Sequence, residues 1–186
     1  MARCPICRTV ELQPAEFDDH LPVVECRMCG GAWLRANEYA LWLKTHAHDT
    51  SIQLDTEAGN RVRVTDSDQA AACPDCGHFL RKYKVASSIA FQLDRCNHCN
   101  GVWLDRNEWQ ALKAAGLHDE INQMFTKPWQ KHIQNELMAA SLETTYLQKF
   151  GADDYEKIKE IRQWLEDNPN RNTLLAYLLD KDPYEG

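Results

Sequence analysis

The eight cysteines of this chain fall into four Cys-x-x-Cys pairs, and this spacing constrains the fold more than any other feature of the sequence. The pairs begin at Cys4, Cys26, Cys73 and Cys96. Each pair directs two sulfur atoms toward one point, and two such pairs supply the four thiolates of a closed tetrahedral metal site. All eight cysteines are therefore predicted to be metal ligands, and the chain is predicted to bind two structural zinc ions.

Other roles for paired cysteines fit this sequence less well. Disulfides are uncommon in the reducing cytoplasm, and the N-terminus, Met1-Ala2-Arg3-Cys4, is not followed by the apolar core of a secretion signal. Redox dithiols of the thioredoxin type lie at the start of a helix, whereas these pairs precede predicted strands and occur in fours. A zinc-linked redox switch remains an alternative. The expected location is the cytoplasm.

A catalytic role is not predicted for either metal site. A catalytic zinc keeps one coordination position open for water, and a site closed by four thiolates has none. His78 and His98 adjoin the second site, where we expect solvated neighbours of the metal and not ligands. We find no nucleophile elbow, phosphate loop or paired-carboxylate motif, so we do not expect an enzyme.

The cysteine pairs belong to an internal repeat. Residues 26–38 return as residues 96–108, with Cys, Cys, Gly, Trp, Leu, Asn and Glu in register. Each block is preceded by a Cys-Pro-x-Cys pair, separated from it by 18 residues in the first copy and 19 in the second. The chain therefore contains one small module twice.

The tight bend after each pair requires a residue that tolerates positive φ. Gly30 and Gly77 meet this requirement, and Asn100 is the next most suitable residue type. Arg8 is the exception. Trp33 and its counterpart in the second copy follow the second knuckle, where an indole is expected to cover the metal site.

Between its two knuckles each module is expected to form a β-hairpin. Residues 88–94 alternate as a strand does, and residues 79–85 supply the antiparallel partner. The first copy offers weaker strands at residues 9–12 and 21–25. Two knuckles joined by a hairpin form a zinc ribbon.

A short helix is predicted to follow each ribbon. In the second copy Asp105 and Glu108 have the spacing of a capping box, and Trp109 and Leu112 would lie on the buried face. In the first copy Arg35 replaces the cap, so we expect Asn37 to cap a helix that starts slightly later. Its buried face would contain Tyr39, Trp42 and Leu43.

These motifs resemble a known family. Cys-Pro-x-Cys, a spacer of about twenty residues and Cys-x-x-Cys-x-Gly-x-Trp-Leu-Asp-x-x-Glu are similar to the transcription factor IIB-type zinc ribbons of small bacterial proteins. The resemblance covers residues 4–44 and 73–114 and departs from the pattern at Arg35. It implies a rubredoxin-like ribbon in each copy. The implied zinc ligands are Cys4, Cys7, Cys26 and Cys29 in the first copy and Cys73, Cys76, Cys96 and Cys99 in the second.

The rest of the chain is predicted to contain a connector and a helical region. Residues 52–64 have the pattern of a hairpin with a Gly59-Asn60 turn. After residue 116 there are no cysteines, and apolar residues recur at helical spacing. The predicted domains are ribbon 1 at residues 1–46, a linker at 47–72, ribbon 2 at 73–116 and a helical region at 117–186. The fold class is α+β, small and stabilised by metal.

Three amphipathic helices are predicted in the last region. The first has Thr126 as its cap, Pro128 in its first turn and Gly151 as its stop. The second follows Asp153 or Asp154, and the third lies after the Asn168-Pro169 break. About 70 residues bury little core alone, so these helices are expected to pack on the ribbons, on a second copy or on a protein partner.

Charge bears on the choice of partner. The formal net charge is −7, and two four-thiolate zinc sites bring it to about −11. Duplex DNA binding is therefore not expected. The compact basic segment Arg81-Lys82-Tyr83-Lys84 supports an alternative, a nucleic-acid-binding factor that uses the second ribbon. The preferred interpretation is a zinc-binding protein-interaction module, an accessory or regulatory factor, with no membrane-spanning segment.

Overall fold

The computed structural model of this chain describes residues 2–46 and 55–180. Within these ranges the strands are β1 (Gln13–Phe17), β2 (Leu21–Glu25), β3 (Ala32–Leu34), β4 (Leu80–Lys84), β5 (Gln92–Cys96) and β6 (Val102–Leu104). The helices are α1 (Ala36–Thr45), α2 (Thr56–Arg61), α3 (Glu108–Ala114), α4 (Ile121–Met124), α5 (Lys127–Phe150), α6 (Ala152–Glu166) and α7 (Arg171–Leu179). The predicted α+β class is confirmed.

One antiparallel sheet contains both ribbons. Its strand order is β1-β2-β3-β6-β5-β4, so each ribbon contributes three consecutive strands. The two halves meet where β3 pairs with β6, with Trp33 opposite Trp103 and Ala32 opposite Leu104. The repeats are thus two halves of a single sheet related by approximate two-fold symmetry.

Glycine allows the two halves to approach closely at this seam. A Cβ atom on Gly31 would lie 2.3 Å from Cζ2 of Trp103, and a Cβ on Gly101 would lie 2.3 Å from Cζ2 of Trp33. Each tryptophan is fully buried against the glycine of the other ribbon. An alanine at either glycine would force the indole or the backbone to move.

The main core lies between the sheet and the helices that follow each ribbon. It contains Tyr39 and Trp42 from α1, Trp109 from α3, and apolar side chains from β2 and β5. The phenol of Tyr39 donates a hydrogen bond to the carbonyl of His118 at 2.8 Å. Residues after the second ribbon thereby help to close the core.

The hairpins agree with the predicted pairing but not with all predicted bounds. β4 pairs with β5, and β2 coincides with predicted residues 21–25. Residues 9–12 are not the first strand, which is β1 at Gln13–Phe17. Residues 88–91 lie before β5. The apolar alternation starts at residue 88, before the residues of β5 that pair with β4. The pattern of side chains therefore predicted a longer strand than the paired segment.

The predicted Gly59-Asn60 turn is wrong, because both residues lie inside α2. The Asp55 carboxylate accepts a hydrogen bond from the N–H of Ala58 and caps this helix. Gly59 is buried, and a Cβ there would lie 3.0 Å from Cβ of Ala115, so close packing on α3 explains the glycine. Residues 52–54 of the predicted hairpin lie outside the described residues.

The helix starts after the ribbons differ slightly from expectation. α1 begins at Ala36 with Arg35 as N-cap, so the later start with Asn37 as cap is wrong. In α3 half of the capping box forms: the N–H of Asp105 donates to Glu108 Oε2 at 2.8 Å. The Asp105 side chain instead accepts bonds from Trp103 and from the loop before the ribbon.

The later helices follow the predicted signals. α5 begins at Lys127, with Thr126 Oγ1 accepting a bond from the N–H of Trp129, and it ends at Phe150 before Gly151. α6 begins at Ala152 with Gly151 as N-cap, so the predicted start after Asp153 or Asp154 is wrong, and both acids lie in its first turn. By contacts the chain divides into two compact units, Met1–Glu136 and Leu137–Gly186. No helix of the described residues has the length and apolar character needed to cross a membrane.

Candidate metal centres and their surroundings

Four cysteines of the first ribbon converge on one point. The Sγ atoms of Cys4 and Cys29 are 3.7 Å apart, and those of Cys7 and Cys26 are 3.9 Å apart. A disulfide requires about 2.05 Å, so these sulfurs are not bonded to each other. Tetrahedral coordination with Zn–S bonds of about 2.3 Å places the sulfurs about 3.8 Å apart. The donor set and its spacing therefore fit a four-thiolate metal site.

The second ribbon repeats this arrangement. The Sγ atoms of Cys73 and Cys99 are 3.5 Å apart, and those of Cys76 and Cys96 are 3.4 Å apart. All four sulfurs lie within 4.8 Å of one another, as in the first ribbon. The structure thus brings the eight predicted cysteines together in two sets of four.

Backbone N–H groups of the knuckles stabilise the thiolates. The N–H of Cys7 lies 3.2 Å from Cys4 Sγ. Burial opposes ionisation of Cys96, but backbone hydrogen bonds from Cys99 and His98 lower the pKa of Cys96 to about 7. Cys26, at the same position of the first copy, also has a lowered pKa despite its burial. These bonds favour the thiolate at Cys26 and Cys96, whereas burial raises the pKa of the other shifted ligands, Cys4, Cys29, Cys73 and Cys99.

Four residues that follow the second cysteines have positive φ. The angles are 62° at Arg8, 73° at Gly30, 74° at Gly77 and 63° at Asn100. The three predicted positions are confirmed, and Arg8 adopts the same conformation without a favourable side chain. The position in the repeat therefore predicts a positive φ better than the residue type does.

The histidines beside the second site form a stacked pair. The ring centroids of His78 and His98 are 4.3 Å apart with an angle of 12° between the planes. Both residues are exposed, and neither belongs to a thiolate cluster.

A set of contacts that we call the cross-ribbon lock joins the two modules. Trp33 Nε1 donates to Asp75 Oδ2 at 2.9 Å, and the Arg35 guanidinium donates to both Asp75 oxygens at 3.0 and 3.1 Å. Asp75 lies between two cysteines of the second site, whereas Trp33 and Arg35 belong to the first ribbon. In the other direction, Arg106 Nε donates to the carbonyl of Cys29 at 2.9 Å. The first repeat thus holds the knuckle at residues 73–76, and the second repeat holds the knuckle at residues 26–29.

An acidic cluster that we call the acidic cluster of the second ribbon contains Asp94, Asp105 and Glu108 from the ribbon and Asp66 from the loop before it. Its partner is Lys82, whose Nζ lies 2.9 Å from Asp66 and 3.1 Å from Asp94. Lys82 therefore does not form the free basic surface predicted for the segment Arg81-Lys82-Tyr83-Lys84. The sequence pattern missed this because the carboxylates come from a loop and from the neighbouring strand.

One family model matches this chain. The model described as transcription factor zinc-finger, a zinc ribbon, covers residues 3–45 and 72–115. The comparison with curated proteins found no match, and neither did the comparison with solved structures. The matched segments contain the two four-cysteine clusters, as the sequence resemblance predicted. Residues 3–45 and 72–115 are therefore similar, in tandem, to the zinc-ribbon family described as transcription factor zinc-finger.

Proposed function

We propose that this protein is a cytoplasmic zinc-binding interaction module without catalytic activity of its own, and that it docks a protein partner through its C-terminal helices. The observation that carries this proposal is the apolar surface of residues 137–179. Leu165 is the one buried apolar side chain among the described residues after Glu136.

We call the exposed apolar side chains of this region the helical docking surface. Trp164 is 56% exposed and Leu179 is 87% exposed, although both residue types are usually buried. The other large exposed members are Leu137, Met138, Leu142, Tyr146, Leu147, Phe150, Ile158, Ile161, Leu175, Tyr177 and Leu178. A concentration of exposed large apolar side chains in one region is typical of interaction sites.

A groove on this surface has the character of a helix-binding site. It has a volume of about 400 Å³ and is lined by Leu142, Tyr146, Phe150 and Ile158 among others. Lys159 lies on its rim, 3.7 Å from Glu143. Apolar walls with a charged rim favour an amphipathic helix as the bound element, either from another protein or from a second copy.

Zinc is the metal proposed for both thiolate sites. Four thiolates at tetrahedral spacing close the coordination sphere, which fits a structural ion and leaves no position for a substrate. The eight unpaired cysteines fit a reducing compartment, which is the basis for proposing the cytoplasm. The ions would stabilise the ribbons, while recognition takes place on the helices.

Introducing a negative charge at apolar residues of the helical docking surface tests this proposal. A partner is first identified by cross-linking to the full chain. Ile158→Glu and Trp164→Glu should each weaken its affinity roughly thirtyfold, because anchor residues buried in an interface contribute about 2 kcal/mol or more. Leu41→Glu is the matched control, since Leu41 is an exposed leucine on α1. Light scattering across a concentration series shows whether the partner is a second copy.

The same experiment can refute the proposal. Zinc content and far-UV circular dichroism must be unchanged in all three variants. If the full chain remains a monomer and no cross-linked protein depends on Ile158 or Trp164, the helical docking surface is not an interaction site.

A second candidate function is weak binding of single-stranded nucleic acid by the second ribbon. Phe79 is 77% exposed, and Arg81 lies opposite Arg95 in the strand register. Aromatic rings beside arginines stack on unpaired bases without sequence preference. The family name also connects such ribbons with transcription. However, Lys82 is bound by two carboxylates, which leaves few cations for phosphates.

Fluorescence anisotropy across a salt series separates the two candidates. We expect no duplex binding at about 0.15 M salt, and at most weak single-strand binding that Phe79→Ala with Arg81→Glu abolishes. Lys44→Glu, on α1 of the other ribbon, is the matched charge control. Sub-micromolar duplex affinity would replace the protein-interaction proposal with the nucleic-acid one.

A further inference from the structure

The acidic cluster concentrates carboxylates in a small volume. Three carboxylate oxygens, one from each of Asp66, Asp105 and Glu108, lie within 4.8 Å of one another. Oxygen ligands of Ca²⁺ at about 2.4 Å from the ion are separated by at most about 4.8 Å, and those of Mg²⁺ by less. Asp94 is 3% exposed and stands close enough to raise the pKa of Glu108. The spacing therefore suits a single oxygen-bound cation.

The charge of this cluster is not balanced by the protein. Lys82 is the one basic side chain that forms ion pairs with these four carboxylates among the described residues. Four carboxylates and one ammonium leave a formal charge of −3 when every acid is ionised.

One side-chain oxygen of Glu108 is buried without a hydrogen-bond partner among the described residues. Its side chain is 1% exposed, and its Oε2 accepts a hydrogen bond from the N–H of Asp105. Its Oε1 is buried and has no hydrogen-bond partner among the described residues. Burial and the neighbouring carboxylates raise the pKa of Glu108 well above its usual range. A proton on Glu108 would lower the negative charge of the cluster by one, and a bound divalent cation would lower it by two.

The first repeat provides an internal comparison. There the indole of Trp33 also donates to a carboxylate, that of Asp75, and the Arg35 guanidinium neutralises it. Arg35 occupies the position of Asp105 in the second repeat. In the second repeat the indole of Trp103 donates to Asp105, and no arginine or lysine pairs with Asp105 among the described residues. At this position the second repeat has an acid, Asp105, where Arg35 supplies a positive charge in the first repeat.

We propose that the acidic cluster of the second ribbon is a third cation site, separate from the thiolate sites. Asp66, Asp105 and Glu108 are its ligands, and the bound ion is a divalent cation that prefers oxygen, of the Mn²⁺, Mg²⁺ or Ca²⁺ class. Glu108 Oε1 supplies a free lone pair, and water completes the coordination from the side of part-exposed Asp66. The ion would fasten the loop containing Asp66 to the second ribbon and α3.

Mn²⁺ binding to the zinc-loaded full chain tests this site. Loss of the electron paramagnetic resonance signal of free Mn²⁺ measures binding, and a dye for released zinc shows whether Mn²⁺ enters a thiolate site. We expect one saturable Mn²⁺ per chain with a Kd on the order of 10⁻⁴ M, and competition by Mg²⁺ or Ca²⁺. Glu108→Gln and Asp66→Asn should each weaken binding at least about tenfold, because each removes one ligand charge.

Glu38→Gln is the matched control, because Glu38 occupies the position of Glu108 in the first repeat and should leave Mn²⁺ binding unchanged. Should Glu108→Gln fail to fold, Asp66→Asn decides, since Asp66 lies in a part-exposed loop. Absence of saturable Mn²⁺ binding, wild-type affinity in the folded ligand variants, or release of zinc in step with Mn²⁺ uptake would each overturn the proposal.

Discussion

Removing the Asp75 carboxylate should destabilise the ribbon unit by about 1–4 kcal/mol. Trp33 is fully buried and donates its indole N–H to this carboxylate, so Asp75→Ala leaves a buried donor without an acceptor. That loss costs about 1–3 kcal/mol. The ion pair between Arg35 and Asp75 is part-exposed and adds roughly 0.2–1 kcal/mol. Asp75→Asn keeps an oxygen for the indole and should therefore cost about 1 kcal/mol or less.

Urea unfolding at a fixed free zinc concentration measures this difference, because a change in metal binding would otherwise shift the apparent stability. Tryptophan fluorescence is a suitable readout, because Trp33 and Trp103 lie in the seam and contribute to the signal of the six tryptophans. Asp68→Ala is the control, because Asp68 is an exposed acid of the preceding loop. The reasoning fails if Asp75→Ala and Asp75→Asn have the same stability within about 0.5 kcal/mol, since the indole bond would then contribute nothing.

Three further predictions concern strain, titration and metal. Arg8 has a φ of 62°, so Arg8→Gly should raise stability by up to about 1 kcal/mol in the same urea assay; a loss would refute strain there. Burial raises the pKa of Tyr39, so the folded state holds its proton more tightly than the unfolded chain, and stability should fall as pH rises above about 10. Tyr39→Phe should reduce that fall in urea titrations from pH 8 to 11, and an unchanged pH slope would contradict it. Elemental analysis should find two zinc ions per chain, and Cys96→Ser should lose the second ion while the helices of residues 137–180 keep their far-UV signal; iron in place of zinc, or global unfolding, would count against the assignment.

The parts of the fold that depend on local spacing were predictable from sequence. Cys-x-x-Cys turns, positive φ at Gly30 and the stop of α5 at Gly151 each depend on a few neighbouring residues. The repeat also gave the signal for Arg8, since the other three positions in register carry glycine or asparagine. Local chemistry was therefore enough to indicate both four-thiolate sites and the end of α5.

The errors occurred where tertiary contacts determine the structure. Gly59-Asn60 has the composition of a hairpin turn, yet Gly59 is needed for close packing of α2 on α3. Lys82 belongs to a basic segment, yet carboxylates that are distant in sequence neutralise it. Asp75 was missed because the residue that it neutralises lies in the other repeat. No pattern within one module contains that information.

The seam between β3 and β6 also constrains how the chain folds during its synthesis. Residues Ala32–Leu34 leave the ribosome about 70 residues before their partners Val102–Leu104, a delay of roughly 4–14 s at usual elongation rates. For that time the nascent first ribbon has an open strand edge, and Trp33 lacks Gly101 to pack against. The edge is only three residues long, which limits its pairing with other nascent chains. Translation of the second copy then completes the sheet on the same polypeptide.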